Sequence, residues 1–517
     1  MHKVAYNMAV LCFLLFFLTV KTAFSAKILG YSAFGSGSHY YVVSSPLQEL
    51  ASRGHEVAML VSSDRPAKAN EKITHKTFQV PYKTGFVEDL LIKPALAGGK
   101  YTVGWNYHKI QLVMCECLLN STELLQELKN FDLIVFDAFA PCGVLLSEVL
   151  YIPNVMVVTG SPNDIFAPYR KAPLPLSYVP MRGSGFPSNM TFIQRVRNVF
   201  KYCFGRVLLD LLFIRTMDEI KVKFNINPER SYSESFSDSA LVLYLADFAV
   251  DFPQPLLPGH IMVGPVTVQR PSQLPPDFES FVNNSGGYGF VMVSFGSYVE
   301  AALGKEKIMM LATAFGKLKQ RVLWKLNKDY VPPSLKPNIK VVSWLPQNDL
   351  LAHKDIKAFV SHVGHNSLYE LAYHGVPVVA FPLFSDQFAN AQKAEQFGLG
   401  IAVDHETTDA EQLSETIERV VNEPRFRAEA MRISRLMKDS PRTPSEKAGD
   451  WIEHVLRHGA QHLRGQAYNI PWYQYYLLDV MAFLVTIVTL VAMVIGLTCR
   501  CLCGVCCRKG ESKTKKA

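Results

Sequence analysis

The sequence predicts an α/β protein: two Rossmann-like, parallel-sheet domains facing across a cleft, followed by one transmembrane helix. Three observations predict it. Short apolar strands alternate with helical stretches in two separate series, the pattern of βαβ units. A proline-rich stretch lies between the series, as an interdomain linker does. A charge-free run of 20 residues, Val480 to Cys499, stands near the end with bases behind it. At 517 residues the chain also exceeds the size at which a single core stops growing.

The two ends address membranes. Met8 to Val20 is apolar, follows Lys3 and is too short to span comfortably; Ala23 and Ser25 then supply the small residues of a cleavage site. Residues 1–25 therefore read as a signal peptide, with an uncleaved anchor as the alternative. The run 480–499 matches a hydrocarbon core of about 30 Å at about 1.5 Å per residue. Arg500, Arg508, Lys509, Lys513, Lys515 and Lys516 follow it, as the positive-inside rule wants of a cytosolic tail, 500–517. The expectation is a single-pass type I protein of the endoplasmic reticulum membrane with a luminal body. Lys513 and Lys515 resemble a dilysine retrieval signal, although a merely solvated basic tail fits as well.

Charge and cysteines narrow the class. The formal charge of +8 belongs mostly to the tail and leader, which leaves a nearly neutral body without an electrostatic footprint for nucleic acid. Of ten cysteines, Cys12 leaves with the leader and Cys499, Cys501, Cys503, Cys506 and Cys507 cluster at the membrane face as palmitoylation candidates. Cys115, Cys117, Cys142 and Cys203 are too few for a disulfide scaffold, and their pairing is open. Sequons at Asn120, Asn189 and Asn283 fit a luminal body.

Along the chain, strands are expected at Lys27 to Tyr31, Glu56 to Val61, Phe131 to Phe136, Val155 to Thr159 and Leu241 to Leu245, with a helix at His39 to Arg53. Residues 165–235 interrupt this with an aromatic, basic helical region, Val196 to Asp218, which suits a ligand-side or membrane-leaning insertion or a plain core helix pair. Prolines from Pro253 to Pro276 mark the linker. The second series has strands at Gly289 to Ser294, Arg321 to Leu326, Ile339 to Trp344, Lys357 to Ser361 and Val376 to Phe381. Helices follow at Asp409 to Asn422 and Arg425 to Lys438, and Ser445 to His458 is placed to run back across the cleft. The resulting domains are 26–270, a linker 271–285, 286–460, and a juxtamembrane stretch 461–479.

Paired α/β sheets bind ligands at the carboxyl ends of their strands, so polar residues there are the candidates. Gly35-Ser36-Gly37 lets backbone approach closely, but Tyr40 replaces the third glycine of a dinucleotide fingerprint and excludes nicotinamide binding on that pattern. His39 titrates in the range a general base needs, and Asp137 at a neighbouring strand end would hold its other ring nitrogen. An N-capping histidine and a turn aspartate are the plainer readings.

The most specific run is Trp344-Leu-Pro-Gln347, then Ser361-His362-Val-Gly364-His-Asn366-Ser367-Leu-Tyr-Glu370, then Pro382-Leu-Phe-Ser-Asp386-Gln387. With His39, the Arg53-Gly54-His55-Glu56 turn and the segment around Asp137, it resembles the UDP-glucuronosyltransferase and wider UDP-glycosyltransferase family over nearly all of the body. The resemblance implies a GT-B-type fold and an inverting transfer of glucuronic acid, or another hexose, from a UDP-sugar to a small lipophilic acceptor.

The residue types fit that chemistry. Trp344 suits stacking on uracil and Gln347 suits reading its edge or the ribose. His362, Gly364, Asn366 and Ser367 open a helix whose N–H groups suit a diphosphate, and Glu370 one turn on would accept from ribose hydroxyls. The family assigns Asp386 and Gln387 to the sugar hydroxyls, and Ser294, Gly296 and Ser297 lie near donor phosphates in similar proteins. Each residue alone reads equally well as core or cap: Trp344 as core, Asn366 and Asp386 as caps.

No cofactor is expected beyond the UDP-sugar co-substrate, and no metal, because no cluster has ligand spacing. Two departures stand out. Val363 replaces the middle glycine of a His-Gly-Gly run, a change that argues against a positive φ there. Leu245 to Pro253 carries no arginine for a sugar carboxylate. The other readings are a UDP-glucose, UDP-galactose or UDP-N-acetylglucosamine enzyme acting on a lipid such as ceramide and, more remotely, a non-catalytic luminal nucleotide-sugar-binding protein. A homo-oligomer is left open.

Overall fold

The computed structural model describes residues 25–32, 34, 37–64, 72–96, 102–296 and 303–511. The leader call at 1–24, Gly35, Ser36, the retrieval signal at Lys513 and Lys515, and Ser297 lie outside the described residues. The disulfide left open by sequence joins Cys115 to Cys142, with Cys117 and Cys203 as free thiols.

Among the described residues, thirteen strands form two all-parallel sheets. The first holds β1 (Lys27–Tyr31), β2 (Glu56–Ser62), β3 (Thr74–Phe78), β4 (Leu133–Asp137), β5 (Asn154–Val158), β6 (Leu241–Tyr244) and β7 (His260–Met262). The second holds β8 (Phe290–Ser294), β9 (Arg321–Lys325), β10 (Ile339–Val342), β11 (Ile356–Ser361), β12 (Val378–Ala380) and β13 (Gly400–Ala402). The strand orders are β3-β2-β1-β4-β5-β6-β7 and β10-β9-β8-β11-β12-β13. Central strands such as β4, β5 and β8 are buried from end to end, as parallel strands covered on both faces must be.

In each sheet the strand order reverses once at the centre, between β1 and β4 and between β8 and β11. Crossovers leave a crevice at such a point because the helices on either side run to opposite faces of the sheet. Tyr31 pairs with Phe136 at the first reversal and Ser361 with Ser294 at the second, so these strand ends lie side by side.

Several short elements differ from expectation. β3 and β7 are edge strands whose brief, polar-containing sequences (THKTF and HIM) carry little periodicity. The stretch 271–285, expected as linker, contains the helix Pro276–Asn283, opened by proline at its first position. The helix Pro444–His458 does return to the first half. It buries Ala448, Ile452 and Val455 in the same core as Ile28, Val43 and Leu47, although it follows the second sheet in sequence. Arg53, directly after the Ser38–Ser52 helix, clamps it, donating to Asp450 Oδ1 at 2.8 Å and to the Glu446 carbonyl at 3.0 Å.

Residues from Arg464 onward form a separate unit. Within it the helix Leu478–Glu511 contains a stretch, Leu478–Cys503, of mean hydropathy 2.8, long and apolar enough to cross a membrane. It begins two residues before the expected start and passes its expected end.

Candidate active site

The first half of the site is built at the β1/β4 reversal. Gly37 precedes the Ser38–Ser52 helix with φ 78°, a conformation glycine adopts without steric cost, and the turn places His39 in the first helical turn. His39 therefore does not cap the helix. Its Nδ1 lies 2.5 Å from Asp137 Oδ2, and Asp137 Oδ1 accepts the Phe139 N–H at 3.0 Å. Asp137 is thus a turn aspartate and an imidazole partner at once, with one oxygen for each task. An ionised carboxylate only accepts, so Nδ1 carries the proton and Nε2 presents its lone pair.

Burial alone would pull the His39 pKa down. The charge of Asp137 and its hydrogen bond outweigh that, Asp386 adds to them, and the net value lies above the usual 6.5. Phe34 and Phe139 flank the ring, with centroids at 6.0 and 5.2 Å, and Tyr107 meets both phenylalanines edge-on. The imidazole thus opens into an aromatic box suited to an apolar molecule. Phe139 belongs to the segment around Asp137 that carried the resemblance, whereas Phe34 and Tyr107 carried no signal in the sequence beyond being aromatic.

The second half is built at the β8/β11 reversal. Ser294 ends β8 and is buried; Gly296 follows with φ 88° and its carbonyl accepts from Lys325 Nζ at 2.9 Å. His362 follows β11 directly. Its buried Nδ1 has no hydrogen-bond partner, and burial pulls its pKa down to about 4, so the ring is neutral. Gly364 precedes the helix His365–His374, and among the described residues no side chain, Asn366 included, caps its N-terminus. The leading N–H groups of this helix follow the end of β11 at the sheet's reversal, and a helix N-terminus is what an anion uses.

Trp344 is 61% exposed and not core. Gln347 donates to Glu370 Oε2 at 2.5 Å, while Thr267 donates to Glu370 Oε1 at 2.6 Å. Burial raises the Glu370 pKa, and these two donors oppose the rise. Asp386 stands at the start of the Gln387–Gln396 helix without capping it; its Oδ2 accepts from Asn390 at 2.8 Å. Gln387 is buried, and its Oε1 accepts from the Leu383 and Phe384 N–H groups, which leaves Nε2 as the amide group not committed to that turn.

The structure brings the two sets together. Asp386 acts on His39, and His39 in turn on His365 of the second half. His365 donates from Nε2 to the Leu245 carbonyl at 2.7 Å, bridging the halves.

The family model described as UDP-glucoronosyl and UDP-glucosyl transferase matches residues 26–515. The chain belongs to the UDP-glycosyltransferase family. Its relatives include a rat UDP-glucuronosyltransferase 1A5, 34% identical over 496 residues that make up 93% of this chain and 92% of that protein. A human 2-hydroxyacylsphingosine 1-beta-galactosyltransferase is 33% identical over 481 residues, 90% and 87% of the two chains. Among solved structures, the calicheamicin glycosyltransferase CalG4 superposes with a TM-score of 0.59 at 19% identity, covering 84% of this chain and 99% of its own. Os79 from O. sativa, solved with U2F and a trichothecene, gives 0.59 at 16%, covering 83% and 100%. At such identities these two show the shared GT-B fold.

Two features of this UDP-glycosyltransferase were not legible in its sequence. Val363 adopts φ 51° despite its branched side chain, contrary to the expectation that valine argues against a positive φ. The conformation is held from both sides: the Val363 N–H donates to Ser361 Oγ, its carbonyl accepts from Asn390 Nδ2, both at 3.0 Å, and the side chain is fully buried. Burial of about 1.5–3 kcal/mol is the same size as the strain of a left-handed valine. The second feature is a polar cluster joining the halves, where Lys393 bonds Asp251, Ser161 and Tyr369, and Asp251 also accepts from Ser161 and Tyr369. Asp251 lies in the very segment that lacks an arginine.

Proposed function

We propose that this UDP-glycosyltransferase performs a single-displacement, inverting transfer of a hexose to a hydroxyl of a small lipophilic acceptor, with His39 as the general base. The observation that carries the proposal is the His39–Asp137 pair, set in an aromatic box and within electrostatic reach of Asp386 across the cleft. His39 Nε2 takes the acceptor proton as the oxygen bonds the anomeric carbon. The bond to UDP breaks with its electron pair on the diphosphate, and Asp137 steadies the imidazolium. Trp344 stacks on uracil, Gln347 and Glu370 meet the ribose, and Ser294, Gly296, His362, Gly364, Asn366 and Ser367 surround the diphosphate. Asp386 and Gln387 bond the sugar hydroxyls. Charge on the leaving group is met by helix N–H groups, and the scheme assigns no step to a metal or further cofactor.

The names of several relatives point to glucuronic acid as the sugar. A second reading, a neutral hexose such as glucose or galactose, is favoured by charge. Lys393 and Arg182 already face the carboxylates of Asp251 and Asp386. We place the body in the lumen of the endoplasmic reticulum, anchored by one apolar helix. The test incubates membranes expressing the protein with UDP-glucuronate, UDP-glucose, UDP-galactose and UDP-N-acetylglucosamine and a phenol, steroid and sphingolipid set, with products read by mass spectrometry. Transfer by wild type and its loss in His39→Ala supports the proposal. Turnover that persists in His39→Ala removes the base assignment, and no transfer from any donor would favour a non-catalytic binding protein.

A further inference from the structure

The helix Leu478–Glu511 is one continuous element, and its charges set its register in a bilayer. Asp479 and Arg500 bracket a run without charge. Their separation, about 31 Å at about 1.5 Å per residue, matches a hydrocarbon core of about 30 Å. Directly before the helix, Trp472, Tyr473 and Tyr476 are exposed, an aromatic cluster of the kind that settles at headgroup level. One interface therefore lies near Asp479 and the other near Arg500.

Three thiols stand at the second interface. Cys499, Cys501 and Cys503 are free and exposed, and among the described residues they form no three-ligand group for a metal ion. The headgroup layer extends about 5–7 Å beyond the core on each side. Counted from Asp479 at about 1.5 Å per residue, Cys499 falls at the edge of the core, and Cys501 and Cys503 lie about 3 and 6 Å past it. Cys506 and Cys507 follow about 10 and 12 Å past that edge, beyond the headgroups. Cys501 and Cys503 are thus the pair level with the headgroups, where a lipid chain attached to a side chain turns back into the same leaflet.

We propose that Cys501 and Cys503 are sites of S-acylation by a long-chain fatty acyl group. The inference rests on the orientation given above, with residues 500–517 in the cytosol, because the acyl donor, a coenzyme A thioester, is a polyanion that does not cross the bilayer. Cytosolic redox poise keeps the two thiols reduced. A membrane-resident acyltransferase joins each Sγ to the acyl carbonyl carbon. The carbon–sulfur bond to coenzyme A breaks, and coenzyme A leaves as its thiol with the cysteine proton, so no oxidant or reductant takes part. The apolar helix already anchors the chain. The acyl chains therefore change how 500–511 lies: they draw it onto the leaflet, where Arg500, Arg508 and Lys509 meet anionic headgroups.

The test uses the full chain in the membranes of expressing cells. Free thiols are blocked with N-ethylmaleimide, thioesters are opened with neutral hydroxylamine, and the thiols released are tagged with a polyethylene-glycol maleimide that shifts the gel band. Wild type is expected to show a hydroxylamine-dependent shift. Cys501→Ser/Cys503→Ser should lose it, Cys506→Ser/Cys507→Ser and Cys117→Ser/Cys203→Ser should keep it, and all should bind UDP as wild type does. No shift in wild type overturns the proposal, as does a shift that follows any other cysteines. So does a reductant-sensitive dimer that Cys501→Ser/Cys503→Ser abolishes, since the thiols would then join two copies of the chain. Orientation is read separately, by protease digestion of an epitope placed after Ala517 in sealed vesicles with the cytosolic face outward. Where the epitope is digested, a missing shift counts against acylation alone; a protected epitope removes the orientation and the proposal with it.

Discussion

Arg182 Nη2 stands 3.6 Å from Asp386 Oδ2, a contact between a loop of the first domain and the end of a strand-to-helix turn in the second. The same carboxylate lies within electrostatic reach of the imidazole and helps raise the His39 pKa. Asp386 is therefore a joint element of both halves. Asp386→Ala is expected to lower kcat/KM for the UDP-sugar by on the order of ten- to a hundredfold, the worth of a charged hydrogen bond. The measurement is donor-dependent initial rate at saturating acceptor; an unchanged value would remove Asp386 from the sugar site.

The general base must be neutral to act. With the His39 pKa raised by Asp137 and Asp386, the rate should climb with pH through a value above 6.5, level off, and fall away on the acid side. Asp137→Asn removes the main charge that raises that pKa. Its acid limb should move to lower pH while the plateau drops. His39→Ala should cost about 10²–10⁴-fold in kcat with UDP binding retained. Rate–pH profiles of the three proteins, with calorimetric UDP titration, check this.

Glu370 holds Gln347 and Thr267 through separate oxygens in a buried setting. Glu370→Ala would leave both partners without an acceptor and loosen the donor cradle. UDP affinity should fall by about tenfold or more, with the acceptor KM little changed. Equal losses for donor and acceptor would instead indicate a general structural defect.

Val363 offers a test of strain. At an ordinary buried valine, replacement by glycine is more damaging than replacement by alanine by about 0.5–1 kcal/mol. At φ 51° the order should reverse, because glycine relieves the left-handed conformation and alanine does not. Thermal midpoints of Val363→Gly and Val363→Ala decide; the usual order would show that the conformation is not strained.

The Lys393–Asp251 pair ties the halves together, with Asp251 buried and the burial that depresses the Lys393 pKa opposed by that carboxylate. Asp251→Ala would strand a buried cation, at a cost of about 3–5 kcal/mol. Asp251→Ala/Lys393→Met should recover much of it. Denaturant or thermal unfolding of the single and double variants measures the difference, and a double variant as unstable as the single would show that the ion pair is not the cause.

What the sequence determined by itself was local and periodic. The βα alternation located most central strands to within a residue or two, since a parallel strand covered on both faces must be apolar throughout. His39 and Asp137 stood out because strand ends are where such folds place ligands, whereas His362 and Glu370 were marked by the family resemblance of the run that holds them. Tertiary structure decided the rest. Short edge strands β3 and β7 form because a neighbour is present to pair with, and their own residues show little of it. The return of Pro444–His458 to the first core was foreseen as a path, but its seat against Ile28 and Val43 depends on where the other sheet ends.

The same holds for Cys115 with Cys142, Arg182 with Asp386, and Lys393 with Asp251, each separated by tens or hundreds of residues. Such pairs leave no periodic trace, because what selects them is the geometry of packed elements and the cost of burying an unpaired charge. Val363 shows the limit most directly. Its side chain argues for one backbone conformation, and two hydrogen bonds with a closed core hold it in another.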